Sequence, residues 1–218
     1  MTSRRQKEPE RPAPRLYLVT PVTADTDALA GLLAEALAAG DIAAVLLRLA
    51  PADERTLINR VKMLAKSVQA KDVALILDRH PEIVARAGAD GAHLPDIAAF
   101  EDAVGGLKPD RIAGVSGLET RHDAMLAAER GADYVMFGEP GEEGYRPSLD
   151  AIQERIGWWA EVFETPCVAY AGNLDEIGAL VRAGADFVAA GDFIFTDPRG
   201  PRAMVAAAQS ALLAEPVS

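Results

Sequence analysis

Residues 85–94 read Ala85-Arg86-Ala87-Gly88-Ala89-Asp90-Gly91-Ala92-His93-Leu94, and the same phrase returns twice further along the chain. The second copy is Ala128-Glu129-Arg130-Gly131-Ala132-Asp133-Tyr134-Val135 and the third Val181-Arg182-Ala183-Gly184-Ala185-Asp186-Phe187-Val188; a fainter one, Ala39-Gly40-Asp41-Ile42-Ala43-Ala44-Val45, precedes them. Each copy reads as a helix passing into a strand. The glycine suits the left-handed position that ends a helix, Ala-Asp makes a short turn, and the apolar run that follows suits a buried parallel strand.

Working outward from these joints, eight short apolar strands alternate with helical stretches. Strands are expected near 16–20, 42–48, 73–78, 91–94, 111–115, 133–138, 166–170 and 187–191. Helices fall near 26–39, 53–70, 81–88, 97–106, 119–130, 148–164, 173–183 and 200–214. This is the pattern of a parallel α/β protein. Near-equal units and the recurring Gly-Ala-Asp joint favour a single closed (β/α)8 TIM barrel over an open doubly wound sheet. No GxGxxG or Walker-type loop follows a strand, which removes the usual nucleotide reading of an open sheet.

The chain has 218 residues, half of them hydrophobic, enough for one sizeable core. Residues 1–15 are polar and proline-rich and are expected to form a disordered tail, with the barrel over 16–215. The apolar residues come in short blocks, none near the roughly 18 needed to span a bilayer, and residues 1–15 lack the apolar middle expected of a secretory signal. With Cys167 as the single cysteine, no internal disulfide is available, which together with the missing signal implies a cytoplasmic protein. Net charge is −11 overall and −14 over residues 16–218. A body this acidic repels a phosphate backbone, so nucleic acid is not an expected partner.

In a closed barrel the residues at the C-terminal ends of the strands share one mouth, where barrel enzymes place their chemistry. Here these are Thr20, Arg48, Asp78 with Arg79, His93 with Asp96, Ser116, Glu139, Tyr170 with Gly172, and Asp192. Asp96 and Ser116 are also good helix-capping types, and His93, between small and apolar neighbours, reads first as a satisfied core histidine. Glu139 and Asp192 could form a carboxylate pair with one raised pKa, or bind a cationic or hydroxyl-rich ligand. The three histidines lack metal-ligand spacing. Cys167 reads as a small core residue, and His80 and His122 as solvent-facing. Of Trp158-Trp159, one ring is expected on the barrel and the other near the surface, where a partner, a second copy of the chain included, would meet it.

The residues also carry a family resemblance. Leu16-Tyr17-Leu18-Val19-Thr20, Gly88-Ala89-Asp90-Gly91-Ala92-His93-Leu94, Ala113-Gly114-Val115-Ser116 and Gly131-Ala132-Asp133-Tyr134-Val135-Met136-Phe137-Gly138 resemble, in order, thiamine phosphate synthase. The resemblance runs from about residue 16 to residue 210. It implies a (β/α)8 barrel and a transferase that joins a pyrimidine pyrophosphate to a thiazole phosphate, with magnesium on the departing pyrophosphate.

Several positions depart from that pattern. Of the family's Gln-x-Arg-x-Lys only Arg48 remains; Asn-Asp-Arg becomes Leu77-Asp78-Arg79, keeping Asp78 as the one magnesium carboxylate. The second metal aspartate is Ala98, with Asp96 displaced by two residues. The lysine loop becomes Glu139-Pro140-Gly141-Glu142-Glu143-Gly144-Tyr145-Arg146, and the thiazole-phosphate loops read Ala171-Gly172 and Gly191-Asp192. Arg146, Arg199 and Arg202 are the cations placed to compensate. The Ser-x-His of the related thiazole tautomerases is Ser116-Gly117-Leu118. These replacements argue against the ordinary condensation. They leave two readings: a divergent family enzyme for a small metabolite, and a non-catalytic barrel that binds a metabolite or a partner. Arg48, Asp78, Ser116, Glu139, Tyr170, Gly172 and Asp192 are the expected ligand-binding residues, with Arg79, His93, Asp96 and Arg146 as accessories.

Overall fold

The computed structural model describes residues 12–141 and 144–214. Eight parallel strands close into a barrel in sequence order. They are β1 (Arg15–Val19), β2 (Ile42–Leu47), β3 (Ala74–Asp78), β4 (Gly91–Leu94), β5 (Ile112–Val115), β6 (Tyr134–Phe137), β7 (Cys167–Ala171) and β8 (Phe187–Ala190). The helices are α1 (Thr26–Leu37), α2 (Glu54–Gln69), α3 (Val84–Ala87), α4 (Ile97–Leu107), α5 (Arg121–Glu129), α6 (Leu149–Val162), α7 (Ile177–Arg182), α8 (Phe193–Thr196) and α9 (Pro201–Leu213), with 3-10 turns at Pro81–Ile83 and Leu174–Glu176. The strand ends expected from sequence agree to within about a residue; α8 was not foreseen. Most of the expected tail, residues 1–11, lies outside the described residues, and Arg15 at its end opens β1 instead.

The Gly-Ala-Asp joint does more than turn the chain. Gly88, Gly131 and Gly184 have φ of 75°, 90° and 99°, the left-handed region a side chain would strain. The aspartate that follows reaches across to the strand before it. Asp90 accepts from the Leu75 N–H at 2.7 Å, Asp133 from Ala113 at 2.7 Å, and Asp186 from Cys167 at 2.8 Å. The fainter copy is similar: Asp41 holds the Arg15 side chain, Nη2 to Oδ1 at 2.6 Å. Every even-numbered strand is thus clipped to its odd-numbered predecessor at the end where both begin.

Two hydrophobic layers result. Outward-facing strand residues such as Leu16, Leu18, Val45, Leu75, Val135 and Val188 pack under the helices, together with buried Phe100 and Trp159. A smaller set faces the barrel axis, including Tyr17, Val19, Leu46, Ile76, Tyr134 and Tyr170. Cys167 is buried in the core. Trp159 is buried while Trp158 is partly exposed beneath the Arg121 guanidinium, 4.8 Å from its ring centre. His80 is partly exposed beside Glu82 and His122 is exposed. No helix among the described residues is long and apolar enough to cross a membrane.

Candidate ligand site at the barrel mouth

The site rests on a polar column inside the barrel. His93 on β4 points inward and is 1% exposed. Its Nδ1 lies 2.9 Å from the Tyr134 hydroxyl, which lies 2.8 Å from that of Tyr17. The His93 and Tyr134 rings stack, 11° from parallel. Tyr134 can cross the interior because β5 offers no side chain there: a Cβ on Gly114 would stand 2.0 Å from Tyr134 Cζ. Burial raises both phenol pKa values, so both stay O–H donors.

With the His93 ring neutral, satisfying every buried donor sets one direction for the column. Tyr17 donates to Tyr134, Tyr134 donates to His93 Nδ1, and the ring proton then sits on Nε2. That nitrogen faces Ser116 Oγ at 2.9 Å and Glu139 Oε2 at 3.3 Å. The opposite sense would bury the Tyr17 proton without a partner and turn a bare nitrogen toward a carboxylate. His93 is therefore both a satisfied core residue and the foot of the mouth. Ser116 belongs to this network; helix α5 is capped by Thr120 instead.

Above the column, Glu139 Oε1 accepts from Arg48 Nη2 at 2.5 Å, and Arg48 Nε lies 3.9 Å from Asp78 Oδ2. The Arg48 backbone is itself tied to the buried Thr20 hydroxyl at 3.0 Å. Burial acts to raise the Glu139 pKa, but the hydrogen bond from His93 and the charge that ring carries when protonated, a hydrogen bond from Ser116 and the Arg48 charge outweigh it and bring it to about 2. Asp78 moves the other way, raised by burial. The expected Glu139–Asp192 carboxylate pair with one raised pKa is thus corrected. Glu139 turns to Arg48 and His93 and is held ionised, while Asp192 is exposed at the start of α8.

Next to this group stands a clasp. Arg146 donates to the carbonyls of Gly138 (2.8 Å) and Tyr170 (2.6 Å) and grips Glu176 with both terminal nitrogens, at 3.0 and 2.7 Å. Glu176 also accepts from the Gly172 N–H at 2.8 Å and from Asn173 Nδ2 at 3.2 Å. The Gly172 backbone donor is therefore already used, and Arg146 is a tie between the ends of β6 and β7. Tyr170 is buried at the mouth, its hydroxyl packed where a Cβ on Gly191 would stand at 2.2 Å. Asp96 caps α4 through the Ala99 N–H at 2.8 Å. Arg79 is exposed with φ of 62°, and Arg199 pairs with Asp197. Beside Glu139 opens a cavity of about 450 Å³ between Leu118, Met136, Phe137, Tyr145, Ile152 and Arg155.

The structure brings together Arg48, Asp78, His93, Ser116, Glu139 and Tyr170. Sequence reasoning missed Tyr17, Tyr134 and Glu176, although alternation along β1 and β6 turns both tyrosines inward. The carboxylates present fit the family's magnesium pattern poorly: Asp78 lies beside Arg48, Asp96 caps α4, and the position where the resemblance implies a second metal aspartate holds Ala98.

A closed parallel barrel of eight strands with its polar side chains gathered at the C-terminal mouth defines a TIM-barrel protein. Residues 16–194 match the family model described as thiamine monophosphate synthase. The chain is 43% identical over 195 residues to a thiamine-phosphate synthase of Rhodospirillum centenum, covering 88% of this chain and 94% of that one. It is 36% identical to one of Hyphomonas neptunium, covering 90% and 93%. Among solved structures, thiamine phosphate pyrophosphorylase from Pyrococcus furiosus superimposes with a TM-score of 0.73 at 22% identity, covering 92% of this chain and 96% of that one. A 3-hexulose-6-phosphate synthase gives 0.72 at 18%, covering 90% and 99%, a likeness of fold alone. The chain belongs to the thiamine monophosphate synthase family.

Proposed function

We propose that this protein is a divergent member of its family that binds a small amino-bearing metabolite at the mouth and does not perform the magnesium-dependent condensation. The observation that carries this reading is the Arg48–Glu139 pair: the arginine available to an anionic leaving group is already neutralised at 2.5 Å. Asp78, Glu139 and Asp192 stand at the mouth against Arg48 and Arg79, since Arg146 is consumed by Glu176. A carboxylate about 4 Å from a phosphate charge opposes it by about 4 kcal/mol at an effective dielectric near 20. The same carboxylates favour an amino or cationic donor.

A thermal-shift comparison tests the reading. The unphosphorylated aminopyrimidine alcohol should stabilise the protein, whereas its pyrophosphate with magnesium should not. Incubation of the pyrophosphate with thiazole phosphate should yield no thiamine phosphate. Turnover at an ordinary synthase rate would overturn the proposal. It would support the ordinary condensation instead, in keeping with the 43% identity to a relative named thiamine-phosphate synthase.

A further inference from the structure

The end of the barrel opposite the mouth holds a second chamber of about 310 Å³, lined among others by Tyr17, Ala44, Ala74, Ile112, Tyr134 and Phe187. Every one of these lies at or near the beginning of a strand. We propose that this chamber is a binding site for an uncharged aromatic molecule of one or two rings. The inference stands apart from the function proposed for the mouth.

The chamber exists because of what the strands begin with. A TIM-barrel interior is normally filled by bulky branched side chains, whereas here β2 and β3 contribute Ala43, Ala44 and Ala74. The register between β1 and β2 also skips a residue, pairing Leu16 with Ile42 but Tyr17 with Ala44. That irregularity leaves Ala43 out of the ladder and on the chamber wall. Tyr17 and Tyr134 line it, and their hydroxyls belong to the column that leads through His93 to the mouth.

The chemistry of the occupant follows from the walls. Three aromatic rings, of Tyr17, Tyr134 and Phe187, line the space, and ring pairs gain beyond the area they bury. The polar groups in reach are already engaged. Tyr17 and Tyr134 bond to one another and to His93. At the rim, Arg15 holds Asp41, and Asp133 takes the Ala113 N–H and the Lys108 ammonium. No buried side-chain nitrogen or oxygen among the described residues lacks a partner. The two charged lining residues, Arg15 and Asp133, are each already paired, so a charged ligand meets no free counter-charge there. An apolar cavity of about 150 Å³ stays dry and takes benzene, so twice that volume accommodates two fused rings.

The test is a methyl NMR titration of the full chain with indole. Saturable shifts are expected at Ala43, Ala44, Ala74, Ile76 and Ile112, with benzoate producing none. Ala74→Leu, which fills the chamber, should weaken indole by about tenfold or more. Ala43→Leu at the partly exposed rim gives the same reading should the first variant misfold. The readout is at the chamber's own methyl groups and uses no residue of the mouth, so failure of the mouth assignment leaves this result intact. Absence of saturable shifts at millimolar indole, shifts confined to Leu118, Met136 and Ile152 by the mouth, or equal binding of benzoate would each overturn the proposal. Unchanged indole binding in both filled variants would do the same.

Discussion

Arg48 is held between two carboxylates, with Nη2 2.5 Å from Glu139 Oε1 and Nε 3.9 Å from Asp78 Oδ2. The pair sits largely out of solvent, with side chains 18% and 14% exposed. An incoming anion must therefore displace Glu139 before it meets the guanidinium.

Replacing that carboxylate should release the arginine. Glu139→Gln is expected to tighten pyrophosphate binding by about tenfold or more, since a nearby like charge is removed. Calorimetry of parent and variant with pyrophosphate checks this; equal heats would show that Arg48 does not face the ligand.

Acid stability should report the same residue. The folded pKa of Glu139 is about 2, below its ordinary 4.5. Its contribution to stability is thus complete above about pH 4.5 and lost as the pH falls toward 2. Asp78, with a raised pKa, works in the opposite sense. Urea unfolding at pH 6 and pH 3 should show a smaller acid loss for Glu139→Gln than for the parent.

Tyr134→Phe should remove the donor that holds the His93 proton on Nε2. The cost is expected to be about 1 to 3 kcal/mol, because His93 Nδ1 and the Tyr17 hydroxyl lose a buried partner together. Nitrogen-15 NMR of the His93 ring should show a single Nε2-H tautomer in the parent and a mixture in the variant.

Arg146→Ala leaves Glu176 half-buried without its main partner. A loss of about 3 kcal/mol is expected, together with faster hydrogen exchange at Gly172. Glu176→Gln should cost less, since the amide still accepts from the Gly172 N–H. Equal stability of Arg146→Ala and the parent would show that the clasp contributes nothing.

Each aspartate clip is open to the same treatment. Asp186→Ala strands the Cys167 N–H at the start of β7 and should destabilise the barrel by about 1 to 3 kcal/mol, read as a lower urea midpoint with an unchanged slope.

The sequence was most informative where local chemistry decides local shape. Gly88, Gly131 and Gly184 mark helix ends by their backbone freedom, so the strands after them were placed closely. Helix α8, four residues of Phe193–Thr196, is too short to carry a 3.6-residue period. Arg48, Asp78, Ser116 and Glu139 were legible as a group because strand ends converge in any closed barrel. Tyr17 and Tyr134 were not, because their meeting depends on cross-barrel register between residues 117 apart. Glu176 reads as an ordinary helix-start acid until Arg146, 30 residues away, is seen to grip it.

The vacancy opposite Tyr134 makes positions 114 and 134 a steric pair. With alanine at position 114 its methyl would overlap the tyrosine ring at 2.0 Å, whereas glycine there accepts either a small residue or a large one across from it. The two positions are therefore coupled: Gly114→Ala is overpacked while Tyr134 is in place and is relieved only when a smaller residue stands at 134.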